Sequence, residues 1–232
     1  MEQERTVSKL KVISTPIGNL DDITIRAVNE LKLADIILSE DTRETDKLLK
    51  HFNILGKENV SYRDQNHERI YPKIVWYLEN AKNVVLVSDS GTPLISDPGY
   101  KLVRDLVKDG FEVEVFPGPS AVIAALTVSG LPTDKFTFIG FLPRTHGDRR
   151  KLLNQFGNSD SSLVIYESPF RIESLLSDIY ESLGDRRVCM INDITKHFEK
   201  IWRNKVSILQ KEIENYKLKG EFVIIIAKED LK

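Results

Sequence analysis

The sequence predicts an α/β protein built as two domains, and three observations carry that expectation. Short runs rich in β-branched residues alternate with longer stretches of helical period. Most of the short runs are continuously apolar, as strands buried on both faces of a sheet must be. The chain has 232 residues, 41% of them hydrophobic, enough for one large domain or two of roughly 110 residues each. The Pro/Gly-rich turn FPGPS (116–120) separates two comparable sets of elements. It places a boundary at 117/118, giving an N-terminal domain over 1–117 and a C-terminal domain over 118–232.

The expected strands are KVIST (11–15), ADIILS (34–39), NVVLVS (83–88), VEVFP (113–117), FTFIGF (136–141), SLVIYES (162–168), RVCMIND (187–193) and EFVIIIA (221–227). Helices fill the spaces between. DDITIRAVNELKLA starts with Asp21 or Asp22 as its cap and puts Ile25, Val28 and Leu31 on one stripe. GYKLVRDLVKDG gathers Leu102, Val103, Leu106 and Val107 on one face, and Gly110 stops it. SAVIAALTVSG is apolar almost all round, which predicts a buried helix. No internal repeat or low-complexity segment interrupts the pattern.

Charge and composition narrow the function classes. A net charge of −2 with a pI near 6.1 gives no global positive field, so any nucleic-acid contact must come from a local patch. One cysteine, Cys189, excludes an internal disulfide and fits a reducing compartment. The opening MEQERTVSK is charged and lacks an apolar run, and no stretch of about 18 apolar residues occurs. These features lead us to expect a cytosolic protein without a secretory leader or membrane span.

In open α/β sheets ligands bind outside the carboxyl ends of the strands. The segments after the expected strands read TPIGNL (15–20), SEDTRET (39–45), SDSGTPLISDPG (88–99), PGPSA (117–121), GFLPR (140–144), ESPFR (167–171) and NDITK (192–196). Gly and Pro serve any strand-to-helix turn, but seven such loops in one chain point to convergence on a binding site. The chain contains no G-x-G-x-x-G, no P-loop, no G-x-S-x-G elbow and no Cys/His cluster with zinc spacing, so familiar nucleotide, hydrolase and metal chemistries lack support.

STPIGNLDDIT, SEDTRET, VSDSGTPLISDPG, PGPSA, GFLPR, YESPFR and the KGE at 219–221 together resemble the bacterial 16S ribosomal RNA cytidine 2′-O-methyltransferases of the tetrapyrrole-methylase superfamily. The resemblance runs from about Leu10 to Ala227. It implies two α/β domains of the tetrapyrrole-methylase type with S-adenosyl-L-methionine in a cleft between them. The N-terminal domain then carries the substrate side and part of the cofactor site. It further implies a homodimer acting on 16S rRNA within the small ribosomal subunit, with no DNA, membrane or metal partner. Carried over motif by motif, the cofactor-lining positions are Ile17, Asp89, Thr92, Ser120, Ala121 and Tyr166, with Gly220 and Glu221 after them. Tetrapyrrole-modifying members usually have a Gly-rich turn ending in Asp where this chain has Pro16-Ile17-Gly18-Asn19, which favours the ribosomal branch. That branch tends to show Arg-Glu-Leu-Thr-Lys where this chain has Asn192-Asp193-Ile194-Thr195-Lys196.

Methyl transfer from a sulfonium to a hydroxyl is an in-line displacement in which positioning supplies much of the acceleration. A 2′-hydroxyl also profits from a base or a stabilising cation. The catalytic group is left unassigned among the candidates Asp41, Arg43, Glu167 and Arg171, with Glu40, His67 and Lys196 beside them. Asp41 and Arg43 equally suit an ion pair capping the next helix, and His67, among polar neighbours, is expected to be an exposed loop residue. PRTHGDRRK (143–151) is the best basic patch, so Arg144, Arg149, Arg150 and Lys151 are the candidate RNA contacts, against a plain solvated helix start. Two other readings remain open at this point: a methylase of a tetrapyrrole or modified protein histidine, and a non-catalytic ribosome-assembly module.

Overall fold

The computed structural model describes residues 8–228, so seven residues of the charged opening read above for secretion lie outside it. The chain divides into two compact units, Met1–Ser120 and Ala121–Lys232. The division falls three residues beyond 117/118 because the turn still belongs to the first unit. A Cβ on Gly118 would lie 2.9 Å from Ser14 Cβ, and Pro119 O accepts from Thr92 Oγ1 at 3.1 Å.

Unit 1 runs β1 (Leu10–Ile13), α1 (Ile25–Leu33), β2 (Ile36–Ser39), α2 (Thr42–His51), β3 (Glu58–Ser61), α3 (His67–Glu79), β4 (Val84–Leu86), α4 (Tyr100–Lys108) and β5 (Val113–Phe116). Its sheet has the order β3-β2-β4-β1-β5 and every pairing is parallel. The continuously apolar strands have the expected cause. Leu10, Val12, Ile36, Leu38, Val84 and Leu86 face one core with Ile74, Leu78, Leu102 and Leu106 of α3 and α4. Ile13, Ile37, Val85 and Val87 face a second core with Ala27, Leu31, Leu48 and Leu49 of α1 and α2. All four strand loops discussed above for this half therefore leave the sheet at one edge.

Unit 2 runs α5 (Ala121–Ser129), β6 (Phe136–Phe141), α6 (His146–Gly157), β7 (Ser162–Glu167), α7 (Ile172–Leu183), β8 (Arg187–Asn192), β9 (Lys200–Lys205), α8 (Val206–Ile213) and β10 (Phe222–Ile226). The sheet order is β6-β7-β10-β8-β9; only β6 and β7 pair in parallel, the rest antiparallel. Leu163, Ile165, Val188, Met190, Ile224 and Ile226 form a core with Leu153, Leu175, Ile179 and Leu209 of the helices. Cys189 is buried on the opposite face, and burial pushes its thiol pKa up to about 11.

All eight expected strands form, but two more were not foreseen. β3 (ENVS) and β9 (KIWRNK) are edge strands. Their mixed polar sequence reflects a half-exposed position. Three helix expectations need correction. Thr24, not Asp21 or Asp22, caps α1, its side chain accepting from Ala27 N, while Asp21 and Asp22 close a 3-10 turn capped by Asn19. The first residue of α1, Ile25, and Val107 of α4 are exposed, since each lies off the buried stripe. α5 buries Val122, Ala125, Leu126 and Ser129 but leaves Ile123 and Val128 exposed, so it is apolar without being fully covered.

Candidate functional site

At the carboxyl edge of unit 1, short side chains lock the loops after β1, β4 and β5 together. Thr15 and Gly91 exchange both backbone bonds, Thr15 N to Gly91 O at 2.8 Å and Gly91 N to Thr15 O at 3.1 Å. Thr15 Oγ1 donates to Ser88 O (3.1 Å), and Ser88 Oγ to Gly91 O (3.2 Å). Ser14 Oγ and Thr92 Oγ1 are 3.0 Å apart. Gly91 has φ +82 and Ile17 Cγ2 stands 3.2 Å from where its Cβ would be, so the turn requires glycine there and Ile17 is buried beneath it. Leu94 and Ser96 also take positive φ (73° and 64°), conformations that L residues hold only when neighbours over-determine them.

The charged groups lie beside this locked turn. Asp89 Oδ1 accepts from Asp41 N at 2.9 Å, tying the loop after β4 to the loop after β2. Burial raises the Asp89 pKa despite that bond, and nearby Asp41 and Glu44 add to the effect. Glu40 is likewise raised by burial and by the Asp89 charge, with Arg63 opposing. Asp41 behaves oppositely: hydrogen bonds from Arg43 hold its carboxyl well below the usual range. Its Oδ1 accepts from Arg43 N (2.9 Å) and Nε (3.0 Å), and Oδ2 from Nη2 (2.5 Å), so Asp41 is the N-cap of α2 and Arg43 its clamp. A carboxylate so held is a poor base. Arg63, which follows the unforeseen β3, donates Nε to Glu40 O at 3.3 Å.

His67 is not an exposed loop residue. It begins α3 and is buried, with Nδ1 2.9 Å from Tyr62 OH and Nε2 2.9 Å from Asp105 Oδ2. Asp64, two residues after Tyr62, accepts from Gly99 N at 3.2 Å and so reaches the end of the 88–99 loop. His67 thus supports that loop rather than meeting a substrate.

In unit 2, β7 and β8 run the same way because both are antiparallel to β10, so the loops after β6, β7 and β8 leave one end of the sheet. Arg171 Nη2 donates to Leu142 O and Pro143 O, each at 2.8 Å, clasping GFLPR to ESPFR. Glu167 is buried; Oε1 accepts from Ser168 N at 2.8 Å. Its Oε2 lies 3.2 Å from Arg171 Nη2, off-axis and without a hydrogen bond. Burial raises the Glu167 pKa against that cation. Glu167 is thus held by Ser168 through one oxygen and lies beside the Arg171 clasp. Tyr166 packs edge-on to Phe138 and Phe141, with ring centroids 4.8 and 5.7 Å away.

The NDITK and KGE segments interlock. Asn192 Nδ2 donates to Lys219 O (2.7 Å), Asp193 N to Glu221 O (2.9 Å), and Lys196 Nζ to Asp193 Oδ1 (3.0 Å) and Glu221 Oε2 (2.7 Å). Gly220 has φ +76, and a Cβ there would clash with the Asp193 carboxylate. The Asn192-Asp193 departure is thus the piece that fastens the turn before β10.

The basic patch divides. Arg149 is buried and gives its guanidinium to Asp178 of α7, so it has nothing to offer an RNA phosphate. Arg150 Nε also binds Asp178 at 2.6 Å, and its Nη1 binds Glu181 at 2.5 Å. Burial would raise the Asp178 pKa, but hydrogen bonds from Arg150, His146 and Arg149 outweigh it and lower it. Arg144 and Lys151 are exposed and make no ion pair among the described residues.

Residues 9–210 match the family described as Tetrapyrrole (Corrin/Porphyrin) Methylases. The chain belongs to the tetrapyrrole methylase family. Membership assigns methyl transfer as its class of chemistry. A Thermotoga maritima protein named Ribosomal RNA small subunit methyltransferase I is 43% identical over 221 residues, 95% of this chain and 99% of its own. A Halalkalibacterium halodurans protein of the same name is 42% identical over 225 residues, 97% of this chain and 78% of its own. Among solved structures, diphthine synthase matches with a TM-score of 0.72 at 15% identity, over 95% of this chain and 90% of that one. Cobalt precorrin-4 methyltransferase matches at 0.70 with 19% identity, over 94% of each. At such identities these two likenesses are of fold. Among the described residues no helix is long and apolar enough to cross a membrane, and no cluster of His, Cys, Asp and Glu is arranged to hold a metal.

The family implies a methyl donor, and the residues present suit a sulfonium amino-acid nucleoside. Hydroxyls, backbone carbonyls and a partly desolvated carboxylate around Asp89 and Thr92 offer acceptors for ammonium and ribose groups, without the cationic cradle a phosphate needs.

Proposed function

We propose that this chain transfers a methyl group from S-adenosyl-L-methionine to the ribose 2′-hydroxyl of a cytidine in 16S rRNA. The single observation that carries the reading is the 43% identity to the Thermotoga maritima relative over nearly the whole of both chains, joined to the motif resemblance. The cofactor's sulfonium supplies an already activated methyl group, so the chain's task is to hold and align. In this reading Asp89 and Thr92 hold polar groups of the cofactor, and Ile17, Ser120, Ala121, Tyr166, Gly220 and Glu221 are its further lining positions. Burial strips Glu40 and Asp89 of part of their hydration and raises their basicity. Glu40, more basic than the Arg43-held Asp41, is the better acceptor for a hydroxyl proton. Arg144 and Lys151, not Arg149, are the patch residues that meet phosphate. We assign the enzyme to the cytoplasm, as a homodimer acting on the assembled small subunit. So little basic surface cannot both unfold RNA and select one nucleotide.

The test is nucleoside mass spectrometry after incubating the purified chain and cofactor with unmodified small subunits, naked RNA alongside. 2′-O-methylcytidine is expected, with more on the particle. A base-methylated product, or no nucleoside product beside an active porphyrinoid reaction, overturns the reading.

A further inference from the structure

Three phenylalanines stand in solvent at one end of the unit 2 sheet. Phe141 closes β6 and is 60% exposed, Phe170 follows β7 and is 94% exposed, and Phe198 follows β8 and is 80% exposed. Because β6, β7 and β8 run in the same direction, all three crown the same edge. An apolar ring of this size is normally buried, and here three loops each hold one out.

The loops are not loose. Arg171 fastens the Phe141 and Phe170 segments to each other through Leu142 O and Pro143 O. Thr195 N donates to Glu199 Oε2 at 2.7 Å across the Phe198 loop, and Lys196 anchors that loop to Asp193 and Glu221. The rings are thus presented by fixed backbone. One cation stands beside them. Arg144, three residues beyond Phe141, is an exposed and unpaired cation among the described residues, whereas Glu199 and Glu221 are engaged in the loop bonds just named. Unpaired nucleotides of RNA are recognised by stacking on such aromatic faces, with cations taking the phosphates between them.

We propose that Phe141, Phe170 and Phe198 form a stacking platform for unpaired bases flanking the methylated nucleotide, with Arg144 contacting the intervening phosphate. The proposal rests on the RNA reading above. Its test compares wild type with a variant carrying Phe170→Leu and Phe198→Leu, which keeps apolar bulk and removes the aromatic face, and with one carrying Trp at both positions. Methylation of unmodified small subunits should show KM raised about tenfold or more in the Leu variant, with kcat and calorimetric cofactor affinity retained, and recovery in the Trp variant. In parallel, a single-stranded oligoribonucleotide containing 2-aminopurine should lose fluorescence on wild type and keep it on the Leu variant. If wild type methylates subunits and the Leu variant matches it in KM and quenching, the platform is overturned while the functional reading stands. If wild type quenches the probe but methylates no RNA, the functional reading fails and the placement of the platform beside a methylated nucleotide is overturned with it, the rings keeping only a general affinity for single-stranded bases. A Leu variant whose sedimentation shifts towards a smaller species makes this face a contact between copies of the chain, which also overturns the proposal.

Discussion

The two units hold their loops in different ways. In unit 1 the loops after β1, β4 and β5 are locked by hydroxyls and backbone groups, Ser14, Thr15, Ser88, Gly91 and Thr92, tightly enough that a Cβ on Gly91 would press on Ile17. In unit 2 the corresponding work falls to ions: Arg171 on carbonyls, Lys196 between two carboxylates, and Asp178 receiving Arg149, Arg150 and His146. Neutral locking leaves Asp89 and Glu40 without a cation paired to either carboxylate among the described residues, whereas ionic fastening uses up Arg149 and Arg150, two cations of the basic run. A charge run therefore tells little until its partners are known.

Breaking the ionic half should have the largest effect. Asp178→Ala leaves the buried Arg149 guanidinium uncompensated and is expected to cost about 3–5 kcal/mol in urea unfolding. Because the Asp178 pKa is lowered on folding, its contribution should persist above the ordinary carboxylate value near 3.8 and fade as pH falls through the lower folded value. A loss below about 1 kcal/mol would show that Arg149 finds water instead.

Next in size, Gly220→Ala forces a Cβ against Asp193 at positive φ, and we expect about 1–3 kcal/mol of destabilisation. Adding Asp193→Ala should return part of it, since the clash is with that carboxylate. Full additivity in the double variant would mean that backbone strain alone is responsible.

On the neutral side, Asp89→Ala should weaken S-adenosyl-L-methionine binding about tenfold, roughly 1.4 kcal/mol, with the fold retained. Calorimetric titration reads this directly, and unchanged affinity removes Asp89 from the cofactor site.

The smallest effect is expected from Glu167→Gln. Its folded pKa lies above the ordinary 4.5, so the native state holds the proton more readily and ionisation costs stability as pH rises from there. The stability of the Gln variant relative to wild type should therefore improve from pH 4 upward and level off. A flat difference across that range would mean that Arg171 fully offsets the burial.

Central strands were legible in the sequence because burial on both faces writes itself as a continuous apolar run, as in VVL of β4 and FVIII of β10. Edge strands β3 and β9 were not, since exposure admits Glu58, Asn59, Arg203 and Asn204. The loops around Asp89, Thr92 and Tyr166 stood out through Gly and Pro whose placement is local. His67 and Arg149 were misread for one reason. What buries them, Asp105 on α4 and Asp178 on α7, lies 38 and 29 residues away, and no pattern in DQNHE or GDRRK announces a distant carboxylate.

Strand order has a consequence for synthesis. β1 pairs only with β4 and β5, never with its sequence neighbour β2. As the chain leaves the ribosome, β1 must wait for about seventy further residues, roughly 4–15 seconds at ordinary elongation rates, before its first partner β4 exists. β10 poses the reverse problem: it fills the middle of its sheet between β7 and β8, and is the last strand to be made. Neither sheet can close from one side, so each half of the molecule passes through a stage with an open central slot lined by unpaired backbone. That slot is a natural place for chaperone engagement or for pairing with another nascent chain.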